Sequence, residues 1–314
     1  MIKALVGYTG FVGSNLLKSC KFDRIYNSKN IQESYGTKPD LLIYAGVPSE
    51  MFTANNNPEK DLEIIKNAIV NIEKIQAKKV VLISTVAVYG SCTQNVDENT
   101  IVDEKFILPY GKNRLYLEKW VKENCVNSLI VRLPAIYGEN LKKNYIYDLI
   151  NYFPALLTQE KYNNLSQKNS IIKEFYMAEL SGYYRLNKNA LNKDDRKNLK
   201  KVFEEYGFSA LNFTDSRSVY QYYNLKNLWS DVEILLNENI RIINLVTEPV
   251  SSKYLYKKIM NEEFNNELNK EPFNYDIRTV NDYILKGKNG YIQNKDDEIN
   301  ELCEFIKEEK KKLW

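Results

Sequence analysis

Lys3-Ala4-Leu5-Val6-Gly7-Tyr8-Thr9-Gly10-Phe11-Val12-Gly13-Ser14-Asn15-Leu16-Leu17 decides the fold: an apolar run, three glycines spaced by three, then the opening of a helix. Gly7 permits a tight turn off the strand, Gly10 lets the backbone approach a pyrophosphate, and Gly13 allows the helix to pack directly on the strand. The helix N-terminus adds unpaired amides and a partial positive charge, so the segment suits the diphosphate of a dinucleotide. Its GxxGxxG spacing differs from the GxGxxG of many dehydrogenases.

Outward from this loop, strand-like runs recur at Lys3 to Tyr8, Arg24 to Asn27, Asp40 to Ala45, Lys79 to Thr85, Ser128 to Leu133 and Arg241 to Val246. Several are apolar almost throughout, the pattern of strands buried on both faces. Helical patterns lie between them, the clearest from Asp61 to Gln76 with Ile64, Ile65, Ala68, Ile69, Ile72 and Ile75 at helical spacing. Alternating strand and helix predicts an α/β, Rossmann-type doubly wound parallel sheet. We expect this domain over 1–156, an inserted, mostly helical part of a smaller substrate lobe over 157–220, a return helix and strand over 221–250, and the rest of that lobe with a tail helix over 251–314.

The 314 residues, 44% of them apolar, suffice for a large core. With 44 Lys and Arg against 41 Asp and Glu, the net charge is only +3, so nothing points to nucleic acid. No apolar run approaches the roughly 18 residues of a membrane span, and the first residues read as a strand rather than a secretory signal. A cytoplasmic location is expected. Cys20, Cys92, Cys125 and Cys303 form no CxxC pair and read as free thiols, not as a metal or disulfide framework. The chain has no histidine, which removes Ser-His-Asp and Cys-His catalysis and most zinc sites; no metal is expected. Chemistry must come from Tyr, Lys, Arg, Ser, Thr, Cys or carboxylates.

The end of the second strand, Tyr26-Asn27-Ser28-Lys29-Asn30, lacks the acid that would bind an NAD ribose. The Ser28 hydroxyl and Lys29 cation suit a 2′-phosphate, so NADP(H) is slightly preferred over NAD(H). Further along come Ile83-Ser84-Thr85-Val86-Ala87-Val88-Tyr89-Gly90, Pro109-Tyr110-Gly111-Lys112-Asn113-Arg114 and Val131-Arg132-Leu133-Pro134-Ala135-Ile136-Tyr137-Gly138. Together with the glycine loop, Pro39-Asp40-Leu41-Leu42-Ile43-Tyr44-Ala45-Gly46 and Val96-Asp97-Glu98-Asn99-Thr100, this ordered set resembles the extended short-chain dehydrogenase/reductases, the NAD-dependent epimerase/dehydratase family. The resemblance covers roughly the first 140 residues.

It implies that Tyr110 exchanges a proton with a substrate alcohol or ketone while a nicotinamide takes or gives a hydride, and that Thr85 holds the reacting oxygen. It implies cofactor contacts from Gly7, Thr9, Gly10, Phe11, Val12, Gly13, Ala45, Gly46, Val47, Tyr110, Arg114 and Pro134, beside Ser28 and Lys29. Tyr110 and Arg114 are four apart, so a helix puts both on one face, and the cation is expected to lower a phenol pKa that starts near 10. The family has Lys where this chain has Arg114, a larger group that gives up a proton far less readily.

Members that dehydrate sugars carry an Asp-Glu pair after the Thr; here Val86 and Ala87 stand there and cannot transfer protons. Ketone reduction, alcohol oxidation or epimerisation through a transient ketone remain. Reduction of a keto group on a nucleotide-linked sugar, in surface polysaccharide synthesis, is the first choice. The alternatives are a 4-epimerase with tightly bound NAD and a cofactor-binding sensor or scaffold that has lost catalysis. Tyr137, Arg217 and Tyr220 are candidate substrate contacts, and the resemblance implies a homodimer formed by helices beside the sheet.

Overall fold

The computed structural model describes residues 1–90, 93–179 and 182–314. Cys92 lies outside the described residues; Cys20, Cys125 and Cys303 are free thiols. The chain divides into two compact units, one of residues 1–141, 219–250 and 274–298, the other of 142–218, 251–273 and 299–314.

The first unit is built on six parallel strands: β1 (Lys3–Val6), β2 (Arg24–Tyr26), β3 (Leu41–Tyr44), β4 (Val80–Thr85), β5 (Ser128–Leu133) and β6 (Ile242–Asn244). Their order is β6-β5-β4-β3-β1-β2, and every neighbouring pair is parallel. All six follow the sequence expectation. The order reverses direction at β1, which creates a switch point at the carboxyl ends of β1 and β3, where open α/β sheets hold their ligands.

Strand periodicity divides the core in two. Leu5, Ile43, Val81, Leu129 and Val131 face one side, packed with Leu16 of helix α1 (Phe11–Ser19). Alternate residues Ala4, Leu42, Val80, Leu82 and Ile130 face the other, packed with Ile65, Ala68, Ile72 and Ile75 of α2 (Pro58–Ile75) and Leu117 and Val121 of α3 (Pro109–Asn124). Trp229, Val232 and Leu235 of α4 (Leu228–Asn237) complete the first side. The Tyr222 stretch expected to lead a helix instead forms a short strand, Tyr222–Asn224, paired in parallel with Ala135–Tyr137; α4 begins only at Leu228.

The second unit has its own core, including Phe153, Leu157, Ile172, Tyr176, Leu199 and Phe203. Beside helices Gln159–Lys168 and Lys193–Glu205, it carries a three-stranded antiparallel sheet of Leu156–Thr158, Tyr183–Leu186 and Tyr176–Ala178. Sequence pattern did not expose these strands: each is three or four residues long and mostly solvent-facing, so no apolar alternation develops.

Candidate active site

The glycine loop has the geometry its spacing requires. Gly7 has φ +92°, and a Cβ there would lie 2.3 Å from the Ala45 carbonyl oxygen, so only glycine lets the turn pass so close to the end of β3. A Cβ on Gly13 would lie 2.2 Å from the Gly7 carbonyl oxygen, which is how α1 comes to rest on the loop. Gly10 differs: only the Gly7 carbonyl oxygen lies within 4 Å of its virtual Cβ, at 3.2 Å. Gly10 caps α1 with no side-chain hydrogen bond, and the first turn carries no acid. Its leading amides therefore keep the donor capacity of a helix N-terminus, while the Phe11 and Val12 side chains pack on the core. This donor set fits a pyrophosphate. Exposed Thr9 stands at the tip of the loop.

Tyr110 is placed by three local features. Pro109 at the first helical position fixes the start of α3 after an extended Leu108. Asn55 accepts a hydrogen bond from the Tyr110 amide at 2.9 Å. Gly111, which sequence reasoning did not single out, lets α3 approach the turn after β4: a Cβ there would sit 2.1 Å from the Ala87 carbonyl oxygen. Thr85, the last residue of β4, is thereby brought beside the phenol, and its hydroxyl oxygen accepts from the Ala87 amide at 3.1 Å. Thr85 and Arg114 both act on the Tyr110 phenol in the direction that favours its ionised form.

Arg114 is on the expected face, but its setting is more constrained than sequence conveyed. Its guanidinium lies 3.9 Å above the Tyr110 ring centre. Nη1 pairs with buried Asp61 and donates to the Tyr110 carbonyl at 3.3 Å; Nη2 donates to the Pro48 carbonyl at 2.6 Å. Asp61 in turn accepts from Asn113 Nδ2 at 2.8 Å. The sequence reading named Asp61 only as the start of a helical pattern and gave it no role; its signal was a carboxylate in the first turn of a strongly patterned helix. The expectation that Arg114 brings the phenol toward neutral pH is corrected. Burial, reinforced by the Asp61 charge, pushes the Tyr110 pKa above its ordinary 10 despite the opposing Arg114 and Thr85.

The segment after β3 links these parts. Ala45 and Gly46 abut Gly7, Val47 packs on the α2–α3 side of the sheet, and the Pro48 carbonyl holds Arg114. Glycine loop, Thr85 and Tyr110 thus occupy one carboxyl edge of the sheet. A buried cluster fastens α3 to that edge: Arg132 on β5 donates to Glu118 from Nη2 at 2.6 Å and to the Tyr89 hydroxyl from Nη1 at 2.8 Å, while Ser84 donates to Glu118.

Other sequence candidates are placed differently. Ser28 and Lys29 are exposed at the end of β2, in a turn where Asn27 Oδ1 accepts from the Lys29 amide. Pro134 is half-buried just after β5, whereas the Tyr137 side chain has no exposed surface. Tyr220 stacks against Tyr275 with ring centres 6.2 Å apart. Arg217, in the second unit, donates to both Asp215 carboxylate oxygens, from Nε at 3.0 Å and Nη2 at 2.7 Å, and is 3.2 Å from Glu267. Its charge is committed to these acids, so it does not stand as a free anchor for a phosphate. Among the described residues, no group of acids and cysteines could hold a metal ion, and no helix is long and apolar enough to cross a membrane.

Residues 22–161 match the model of the NAD dependent epimerase/dehydratase family. Because the match begins at 22, the glycine loop rests on its geometry and on the fold. A curated relative is the N-acetyl-alpha-D-glucosaminyl-diphospho-ditrans,octacis-undecaprenol 4-epimerase of Escherichia coli O157:H7, 24% identical over 276 residues, covering 77% of this chain and 74% of that protein. In fold, the chain is similar to the dTDP-4-dehydrorhamnose reductase of Bacillus anthracis in complex with NADP, at a TM-score of 0.62, 15% identity and coverage of 98% and 99% of the two chains. It is similar also to a UDP-N-acetylglucosamine 4-epimerase of Methanobrevibacter ruminantium in complex with UDP-N-acetylmuramic acid, at 0.58 and 12%, covering 98% and 97%. Over residues 22–161 the chain is thus similar to the NAD dependent epimerase/dehydratase family, and its fold is that of reductases and epimerases of known structure.

Proposed function

We propose that the chain reduces a keto group on a nucleotide-linked sugar, with Tyr110 as the proton donor and NADPH as the preferred cofactor, in surface polysaccharide synthesis. The observation that carries this reading is the buried Tyr110 phenol with the Arg114 guanidinium over its ring, on the sheet edge that also bears Thr85 and the glycine loop. A nicotinamide, when bound, would supply the hydride for the carbonyl carbon. The protein's own groups do the rest. Thr85 already accepts from the Ala87 amide, so its hydroxyl proton is free to hold the substrate oxygen. Tyr110 delivers a proton to that oxygen. A phenol whose pKa is raised by burial stays protonated at neutral pH, the form in which a proton donor must start. Asp61 and the carbonyls of Tyr110 and Pro48 occupy part of the Arg114 donor set, and we assign the remainder to the nicotinamide ribose. The leading amides of α1 would take the pyrophosphate, with Ser28 and Lys29 at a 2′-phosphate.

Dehydration is disfavoured by Val86 and Ala87 beside Thr85, neither of which can move a proton. A second reading, a 4-epimerase that retains NAD, is supported by the activity named for the curated relative. We also propose a homodimer through α2 and α3, whose Val70 and Tyr116 leave apolar and aromatic surface exposed.

The test is to purify the protein, identify any nicotinamide it retains, and follow NADPH consumption with keto-sugar nucleotides. Turnover is expected to fall about 10²–10⁴-fold in Tyr110→Phe, with cofactor affinity kept. Retained NAD with sugar interconversion and no net NADPH loss would establish the epimerase. Cofactor binding without turnover, indifferent to Tyr110→Phe, would overturn both readings.

A further inference from the structure

Arginine is a poor electrostatic substitute for lysine unless something fixes its plane, because the guanidinium spreads its charge over three nitrogens on a long stem. In this protein the plane is fixed. Asp61 reaches across from the first turn of α2 and pairs with Nη1, the Pro48 carbonyl takes Nη2, and the guanidinium carbon lies over the Tyr110 ring, 3.9 Å from its centre. Asp61 is itself held by Asn113 Nδ2, so α2 and α3 are joined at this point by a buried carboxylate with two donors.

We propose that Asp61 is a positioning residue for proton transfer at Tyr110: it holds the Arg114 guanidinium against the ring and balances its charge, so that the phenol keeps its proton until the substrate oxygen takes it. The inference rests on the reading of Tyr110 as the proton donor. Its physical basis is geometric and electrostatic together. Lying over the ring face, the guanidinium is held by Asp61 and the Pro48 carbonyl, and the neighbouring carboxylate offsets part of its pull. The charged and hydrogen-bonding groups acting on the Tyr110 oxygen are Arg114, Asp61 and Thr85, and of these only Asp61 favours the protonated phenol.

The test places 3-fluorotyrosine at position 110 by site-specific incorporation and titrates its fluorine resonance, which reports the phenol without requiring turnover. Asp61→Asn, nearly isosteric and uncharged, is expected to lower the titration midpoint and to move the alkaline limb of the pH–kcat profile the same way. An unchanged midpoint in a folded Asp61→Asn protein overturns the proposal. If Asp61→Asn does not fold, Asp61→Glu decides: it keeps the charge but displaces the guanidinium by a methylene, so a displaced midpoint supports the role of Asp61 and an unchanged one refutes it. Failure of the oxidoreductase reading would show separately, as wild-type protein without turnover whatever the fluorine titration gives.

Discussion

Gly10 and Gly13 lie three residues apart in one loop, yet replacing each by alanine should damage a different property. At Gly13 the added Cβ would meet the Gly7 carbonyl oxygen at 2.2 Å, its carbon at 2.7 Å and the Tyr8 Cα at 2.9 Å, all backbone atoms. Ordinary contact begins near 3.4 Å, so α1 and the loop must separate by 3.4 − 2.2 = 1.2 Å. Overpacking of this kind costs about 1–3 kcal/mol, and the better helix propensity of alanine returns about 1 kcal/mol. Since no side chain is available to yield, we expect a net loss of about 1–2 kcal/mol, read as a fall of several degrees in Tm. At Gly10 the only neighbour is at 3.2 Å and φ is −76°, so the fold tolerates alanine to within about 0.5 kcal/mol. The methyl group instead stands where a phosphate must approach the amides. Losing one charge-assisted amide hydrogen bond, about 1.5–3 kcal/mol, weakens NADP(H) binding about tenfold to a hundredfold. Thermal unfolding without ligand and calorimetric titration with NADPH separate the two effects. Wild-type affinity in Gly10→Ala, or wild-type Tm in Gly13→Ala, would refute the assignment of these glycines.

Two further predictions concern stability. Glu118→Gln strands the buried Arg132 guanidinium and is expected to cost about 3–5 kcal/mol in urea unfolding, whereas breaking the exposed pair that Lys119 of the same helix makes with Glu104, by Lys119→Gln, should cost about 0–1 kcal/mol; equal effects would show that burial does not govern the difference. The Asp148 carboxyl is pushed by burial from its ordinary 3.8 up to about 7, so the folded chain holds a proton that the unfolded chain releases. Stability from that proton is full below about pH 4 and is lost as pH rises toward 7. Asp148→Asn should therefore raise Tm at pH 8 and leave it unchanged at pH 4, and the same change at both would refute the assignment.

Local patterns determined much of this protein. The near-continuous apolar runs fixed the central strands of the main sheet, because a strand buried on both faces has no polar face to blur its signature. The spacing of Gly7, Gly10 and Gly13 fixed the loop, and the four-residue interval from Tyr110 to Arg114 fixed their shared face, because both depend only on backbone geometry repeated within a few residues. Tertiary structure decided what sequence distance concealed. Asp61, 53 residues before Arg114, has no local mark as its partner, and a helix pattern alone gives its side chain no address. The short exposed strands of the second unit left no periodic trace. The direction of the Tyr110 shift likewise depended on how much water α3, β4 and α2 exclude together; charge spacing along one helix gave Arg114 the deciding influence, and burial by the assembled elements reversed it.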